Sequence, residues 1–292
     1  MAQTFWADAA LAGNLMMDET SKTVTNEQLI EIIDLVQRIH GFDFSDYSKG
    51  SFKRRVNRVM MIKKIDFYDL TNLLANDPRF FQEFLEEVTV NVTEMFRDPS
   101  FFKALGNDVI PYLRTWHHIK VWSAGCSSGE EAYSLAILLN QPGSKNKATI
   151  YGTDINTVVL KEAKKGTYNL RNIRSYSENY QLSGLAGTLT DHFTILREAG
   201  TVQDELKANT LFSRHNLISD AAFNEFQLIC CRNVFIYFET ALQERVLDLF
   251  YKSLSPHGFL CLGSKETIRS DKFKKKFKPV NVKENIYQKI ES

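Results

Sequence analysis

Cysteine is scarce: four in 292 residues, with Cys126, Cys230, Cys231 and Cys261 standing far apart or side by side, and no CxxC or histidine at ligand spacing. That argues against a zinc or other metal site and against a disulfide framework, and it favours a reducing, cytoplasmic setting. Long apolar runs are missing too, since no stretch offers the roughly 20 residues needed to cross a bilayer. The opening residues have neither the basic start nor the apolar run of a secretory leader, and residues 1–24 read as a flexible tail. Charge of one sign is not in excess. The formal net charge is +1, so there is no global pull toward nucleic acid or an anionic surface, and any charged recognition must be local. Internal repeats and low-complexity tracts are absent. What the chain does have is 43% hydrophobic residues, ample for a core in one large domain or two modest ones, with a monomer the default state.

Helical spacing dominates the first third. Thr25 and Gln28 fit a capping box, and Leu29, Ile32, Ile33, Val36 and Ile39 recur at helical intervals until Gly41. Ser51 to Lys64, Asp66 to Ala75 and Pro78 to Glu87 continue in the same manner, predicting a helical domain over 25–90. From about His118 strand and helix alternate: Ile119 to Ala124, Glu130 to Leu139, Ala148 to Thr153 and Val158 to Lys164. That alternation predicts an α/β domain over 91–292 built on a mostly parallel sheet. Thr167 to Gly187 reads as irregular. Pieces at His192 to Leu196 and Thr210 to Arg214 suggest an inserted hairpin or small β-subdomain at about 187–214. Phe226 to Cys231, Ala241 to Leu254, Gly258 to Leu262 and Val282 to Ile290 then read as strand, helix, strand and a last strand closing a C-terminal hairpin.

The stretch Gly125-Cys-Ser-Ser-Gly129 lies between a strand and a helix, which places free backbone N–H groups at the carboxyl edge of the sheet, where small ligands bind. Its G-x-x-x-G spacing is not the G-x-G-x-x-G of dinucleotide folds. Glu130 and Glu131 at the helix start would repel a pyrophosphate and suit a ligand with a positive group, such as the amino group or sulfonium of S-adenosylmethionine. Asp154, ending the next strand, can accept hydrogen bonds from ribose hydroxyls. The alternative is a tight turn, with Asp154 capping the following helix.

Asn91-Val-Thr-Glu-Met-Phe-Arg-Asp98, Ala124 to Ser134, Gly152-Thr-Asp154, His215-Asn-Leu217 and Cys231-Arg-Asn-Val-Phe-Ile-Tyr-Phe238 resemble, in order and spacing, the CheR-type chemotaxis-receptor glutamate O-methyltransferases over roughly residues 25–290. The resemblance implies a class I methyltransferase domain, Rossmann-like, with a small all-helical N-terminal domain and a small antiparallel β-subdomain insert. It implies S-adenosylmethionine as methyl donor, S-adenosylhomocysteine as product and receptor glutamates as acceptors. Carried over by position, Asn91, Thr93 and Arg97 would line the cofactor pocket with Gly125, and Glu130 would face the methionine part. Asp154 would hold the ribose, Asn216 and Leu217 would lie along the adenine, and Arg232 and Asn233 would close the pocket. Arg97 and Tyr237 are the catalytic candidates, near the incoming carboxylate and the transferred methyl. Met95, Ser128 and Ala132 depart mildly from the family pattern, and none removes a binding group.

Lys49 to Lys64 contains no acidic residue, and Arg54, Arg55 and Arg58 share one helix face. The plain reading is a solvated face; the resemblance implies docking of glutamate-rich receptor helices. The second basic run, Lys272 to Lys278, reads as a solvated loop. Two other functions fit parts of the pattern. A nucleic-acid methyltransferase would use the basic helix on phosphates, but Arg232-Asn-Val-Phe235 stands where an Asn/Asp-Pro-Pro-aromatic segment is expected. A regulatory module could bind the cofactor without turnover.

Overall fold

The computed structural model describes residues 23–89, 92–141 and 147–290. The chain divides between Val90 and Asn91 into two compact units. Asn91 itself, a predicted pocket residue, lies outside the described residues, as do residues 1–22 of the predicted tail.

The first unit consists of α1 (Asn26–His40), α2 (Lys49–Lys63), α3 (Phe67–Asn76) and α4 (Pro78–Val88). Local chemistry sets the boundaries. Thr25 Oγ1 accepts the Gln28 N–H and the Gln28 side chain accepts the Thr25 N–H, while Gly41 ends α1 in the left-handed region at φ 71°. Asp77 caps α4 by accepting the N–H groups of Arg79 and Phe80 behind Pro78. Val24, placed in the tail by the sequence reading, is buried, and its N–H donates to Asn57 Oδ1 at 2.8 Å, so it belongs to the helical unit. One valine among polar neighbours carries no periodicity by which to find it. In α2, Phe52, Val56, Val59 and Met60 turn inward, and Arg54 and Arg58 remain in solvent.

The second unit opens with α5 (Pro99–Ala104), a π-helical turn (Leu105–Val109) and α6 (Ile110–Leu113). Pro111 inside the apolar pattern has no N–H to give, and the wider turn ahead of it absorbs that loss. Next come β1 (His118–Ala124), α7 (Glu130–Leu139), β2 (Lys147–Asp154), α8 (Thr157–Lys165), β3 (Thr167–Asn169), α9 (Leu170–Leu182), β4 (Phe193–Leu196), β5 (Ala199–Val202), α10 (Asp204–Ala208) and β6 (Thr210–Arg214). The chain continues through β7 (Phe226–Cys231), α11 (Thr240–Ser253), β8 (Leu254–Leu262), α12 (Asp271–Lys274), β9 (Phe277–Asn281) and β10 (Ile286–Lys289). Seven strands form the main sheet in the order β6-β2-β1-β7-β8-β10-β9, parallel from β6 to β8 and antiparallel beyond. β7 is buried along its whole length, as a central parallel strand must be.

Four expectations change here. The β-subdomain is the sheet β3-β5-β4, spanning residues 167–202 rather than 187–214. The stretch from Thr167, read as irregular, is β3 followed by α9, whose buried face is Ile173, Tyr176 and Tyr180 among polar residues. β5 reads Ala199-Gly-Thr-Val202, weak in strand-favouring residues at its start, and so gave no signal. Thr210 to Arg214 is no part of the insert: it pairs in parallel with β2 as the edge of the main sheet. Finally, Lys272 to Lys278 is not a loop, because Phe273 and Phe277 are buried and anchor α12 and β9. Among the described residues no helix is long and apolar enough to cross a membrane.

Candidate active site

The chain leaves β1 to one side of the sheet for β2 and β6 and to the other for β7, so the carboxyl ends of these four strands surround a switch point in strand order. Gly125, Glu130, Asp154, Asn216, Leu217, Arg232, Asn233 and Tyr237 all follow those ends.

The turn after β1 is built from backbone. The N–H groups of Gly125 and Cys126 both donate to Thr153 O, at 2.8 and 2.9 Å, locking the turn to β2. Gly125 has φ 79° and Gly129 φ 94°, conformations that side chains resist. The space around them is taken by protein: a Cβ on Gly125 would lie 2.5 Å from Val234 Cγ2, and one on Gly129 would lie 3.0 Å from Ala163 Cβ and 3.1 Å from Phe212. Packing against neighbouring segments therefore requires the glycines.

Three carboxylates meet here with different fates. Glu131 accepts from Ser123 Oγ at 2.8 Å and faces the Arg232 guanidinium at 3.3 Å. Its neighbour Glu130, 5% exposed, meets hydroxyls instead, Ser128 at 2.8 Å and Tyr176 at 3.3 Å. Asp154 accepts the Ser127 and Asn156 N–H groups, each at 2.9 Å, one on each oxygen. Burial pushes the carboxyls of Glu130 and Asp154 above their usual range, against the pull of those donors. A buried and a half-buried carboxylate, both held by neutral donors, form a site that penalises bare negative charge and favours a cationic ligand with hydroxyls to donate. A methionine ammonium, a sulfonium and a ribose meet that description.

Arg97 sits between two strained residues, Phe96 at φ 53° and Asp98 at φ 58°. Its backbone is fastened on both sides. The Phe96 N–H donates to Ser134 Oγ on α7 at 2.9 Å, and Arg232 Nη2 donates to Arg97 O at 3.1 Å and to Asp98 Oδ2 at 2.8 Å. The Arg97 guanidinium donates to Val92 O at 2.9 Å and is half-buried; Thr93 is half-buried in the same segment.

Arg232 was expected to close the pocket. Its head group instead points into the protein, 2% exposed, stacked 3.9 Å over the Phe101 ring and bonded to Asp98 and Glu131. Asn216 is buried and shapes its own turn: its N–H donates to Asp220 Oδ2, and its Oδ1 accepts the Ile218 N–H. Leu217 and Tyr237 are half-buried, as is Asn233, which takes φ 62°. Arg54, Arg55 and Arg58 belong to the helical unit, where Arg58 makes a loose, exposed contact with Glu87 at 3.7 Å.

Sequence reasoning missed Tyr176 on α9 and Tyr168 on β3, whose hydroxyls donate to Glu130 and to Ser128 O. Both come from the insert, some 40 residues away, and no motif marks them.

The family model described as "CheR methyltransferase, SAM binding domain" matches residues 91–286, and "CheR methyltransferase, all-alpha domain" matches 27–89. Cher3 of Pseudomonas putida is 40% identical, covering 92% of this chain and 99% of its own. The chemotaxis protein methyltransferases of Listeria monocytogenes and Borreliella burgdorferi are 32% and 30% identical, covering 80% and 90% of this chain and 87% and 95% of theirs.

Proposed function

Since the chain belongs to the CheR methyltransferase family and binds S-adenosylmethionine, we propose that it methylates glutamate side chains of chemotaxis receptors in the cytoplasm, giving glutamate methyl esters. The observation that carries this reading is the pair of carboxylates at the carboxyl edge of β1 and β2, Glu130 buried and Asp154 half-buried, held by neutral donors and suited to a cationic, hydroxylated ligand. Four free, buried cysteines agree with a reducing compartment.

The bound donor supplies an electrophilic methyl on a sulfonium. Glu130 would hold its ammonium and Asp154 its ribose hydroxyls, with Gly125, Thr93, Asn216, Leu217 and Asn233 shaping the surrounding wall. An acceptor glutamate, with a reference pKa near 4.3, is ionised at neutral pH, so the chain need provide no general base. What it must provide is alignment and exclusion of water. Arg97 does the aligning: its fork can hold one carboxylate oxygen and leave the other free to attack. Too firm a grip would stabilise the ground state, and the hydrogen bond from the guanidinium to Val92 O limits how far it commits. Tyr237 bounds the methyl site from the loop after β7. Arg54, Arg55 and Arg58 draw in the acidic receptor helices.

The test is transfer of radiolabelled methyl to receptor-containing membranes. Alkali-labile label on receptor, reduced in Arg97→Ala at least tenfold beyond any loss of cofactor affinity, supports the reading. Cofactor binding without transfer to any receptor would instead assign a regulatory, non-catalytic module.

A further inference from the structure

Beyond β7 the chain turns away from the sheet through the loop that carries Asn233 and Tyr237, both half-buried. The turn from Asn233 to Phe238 buries Phe235 and Phe238, leaves Tyr237 half-buried and exposes Ile236 by 41%. Its shape is imposed from two sides. On one, Gln243 Nε2 from α11 donates to Phe235 O at 3.0 Å and Phe238 O at 3.1 Å. On the other stands Glu266, 4% exposed, in the segment after β8. One of its oxygens accepts the N–H groups of Gly263 at 2.6 Å and Asn233 at 2.9 Å, and the other accepts the Ile236 N–H at 3.2 Å. Sequence reading singled out nothing at this position.

We infer that Glu266 is a positioning residue for the transfer reaction, its carboxylate fixing the Asn233–Tyr237 loop against the glycine turn; this rests on the function proposed above. Three arguments favour this over a simple tie between strand ends. The bonds reach the loop at Asn233 and Ile236, the residue before Tyr237, so they fix the backbone from which the Asn233 and Tyr237 side chains project. Val234, held between those two bonds, is the side chain seated on Gly125, which carries the loop's position directly to the cofactor turn. And the site demands acceptors on both oxygens, which only a carboxylate of this length supplies; an amide would oppose its own NH2 to the Ile236 N–H. Burial raises the Glu266 carboxyl, and the three N–H donors and the nearby Arg232 charge draw it back. Keeping a carboxylate there carries a desolvation cost that a role in packing alone would not need.

Glu266→Gln and Glu266→Ala in the full chain, beside the parent, test this. The readouts are kcat and KM with a receptor cytoplasmic fragment, S-adenosylmethionine Kd by calorimetry, thermal midpoint, and amide hydrogen exchange over 233–238. Glu266→Gln should melt within a few degrees of the parent and bind cofactor within about threefold. Its kcat should fall about tenfold, with faster exchange confined to 233–238, and Glu266→Ala should fall further. If Glu266→Ala does not fold, the glutamine variant carries the test alone. Unchanged kcat and unchanged exchange in Glu266→Gln would overturn the inference, as would a kcat loss that merely follows the folded fraction. Should the parent transfer no methyl, the proposed function fails on its own; exchange at 233–238 with cofactor affinity kept then still supports the positioning of the loop, and unchanged exchange overturns it.

Discussion

Replacing Arg232 with methionine keeps an apolar body over the Phe101 ring and removes the charged fork, which isolates the electrostatic part of the cluster. Glu131 is 15% exposed and loses its cation, though Ser123 still donates to it; Asp98 is 35% exposed and rehydrates in part. Breaking one side of a buried pair costs about 3 to 5 kcal/mol, and the partial exposure of Asp98 places this case at the lower end, about 3 kcal/mol. Against a total stability of roughly 5–15 kcal/mol the variant still folds. Glu131→Gln, which removes the orphaned charge, should recover part of the loss, so a double-mutant cycle on urea midpoints should give a coupling of about 1.5 kcal/mol. Because Arg232 also holds Arg97 O, methyl transfer should fall more than the folded fraction explains. A destabilisation under about 1 kcal/mol, or a coupling near zero, would refute the reasoning that this guanidinium is the charge balance of the site.

Other consequences are open to measurement. Glu130 has a raised carboxyl, so between its usual range and the raised value the folded protein holds a proton that the unfolded chain has released. Stability of the unliganded protein therefore declines as pH rises through that window, while cofactor affinity, which needs the carboxylate, weakens as pH falls through it. Calorimetry across pH should show proton release on binding, smaller in Glu130→Gln, where only the raised Asp154 carboxyl is left to contribute. Gly125→Ala should lose about 2 kcal/mol or more from a positive φ and a 2.5 Å clash with Val234, and adding Val234→Ala should restore only the steric share. Tyr176→Phe removes a 3.3 Å bond to Glu130 and should shift cofactor Kd by roughly three- to tenfold with stability within about 0.5 kcal/mol, as a titration and a melt would reveal. Reversing Arg54, Arg55 and Arg58 to glutamate should weaken receptor binding most at low salt and leave cofactor Kd unchanged.

Much of the fold was legible because its signals are local. The capping box at Thr25, the alternation from Ile119 to Lys164 and the strand-turn-helix at Gly125 each depend on residues within one or two turns of one another. The insert was misread because Tyr176 and Tyr180 present a helix face that polar neighbours dilute, and because Ala199-Gly200 is a poor strand start whose pairing depends on β3 and β4. The parallel edge strand β6 was misread because only Thr210 and Phe212 are buried in it, too short an alternation to say which sheet it joins.

The sequence by itself determined the helices of the first unit, the strand-helix alternation from Ile119 to Lys164, that a glycine turn precedes two glutamates, and that the turn lies at the carboxyl edge of a parallel sheet. Only the tertiary structure decided what those two glutamates are. Glu130 and Glu131 are adjacent in the chain and chemically alike, yet a helix turns consecutive side chains about 100° apart, so they meet different neighbours. Arg232, 101 residues further on, comes to Glu131, while Tyr176, 46 residues further on, comes to Glu130. Charge compensation is a through-space quantity, and with the Arg232 guanidinium taken by Glu131, Glu130 meets neutral hydroxyls and prefers a cation from outside the chain.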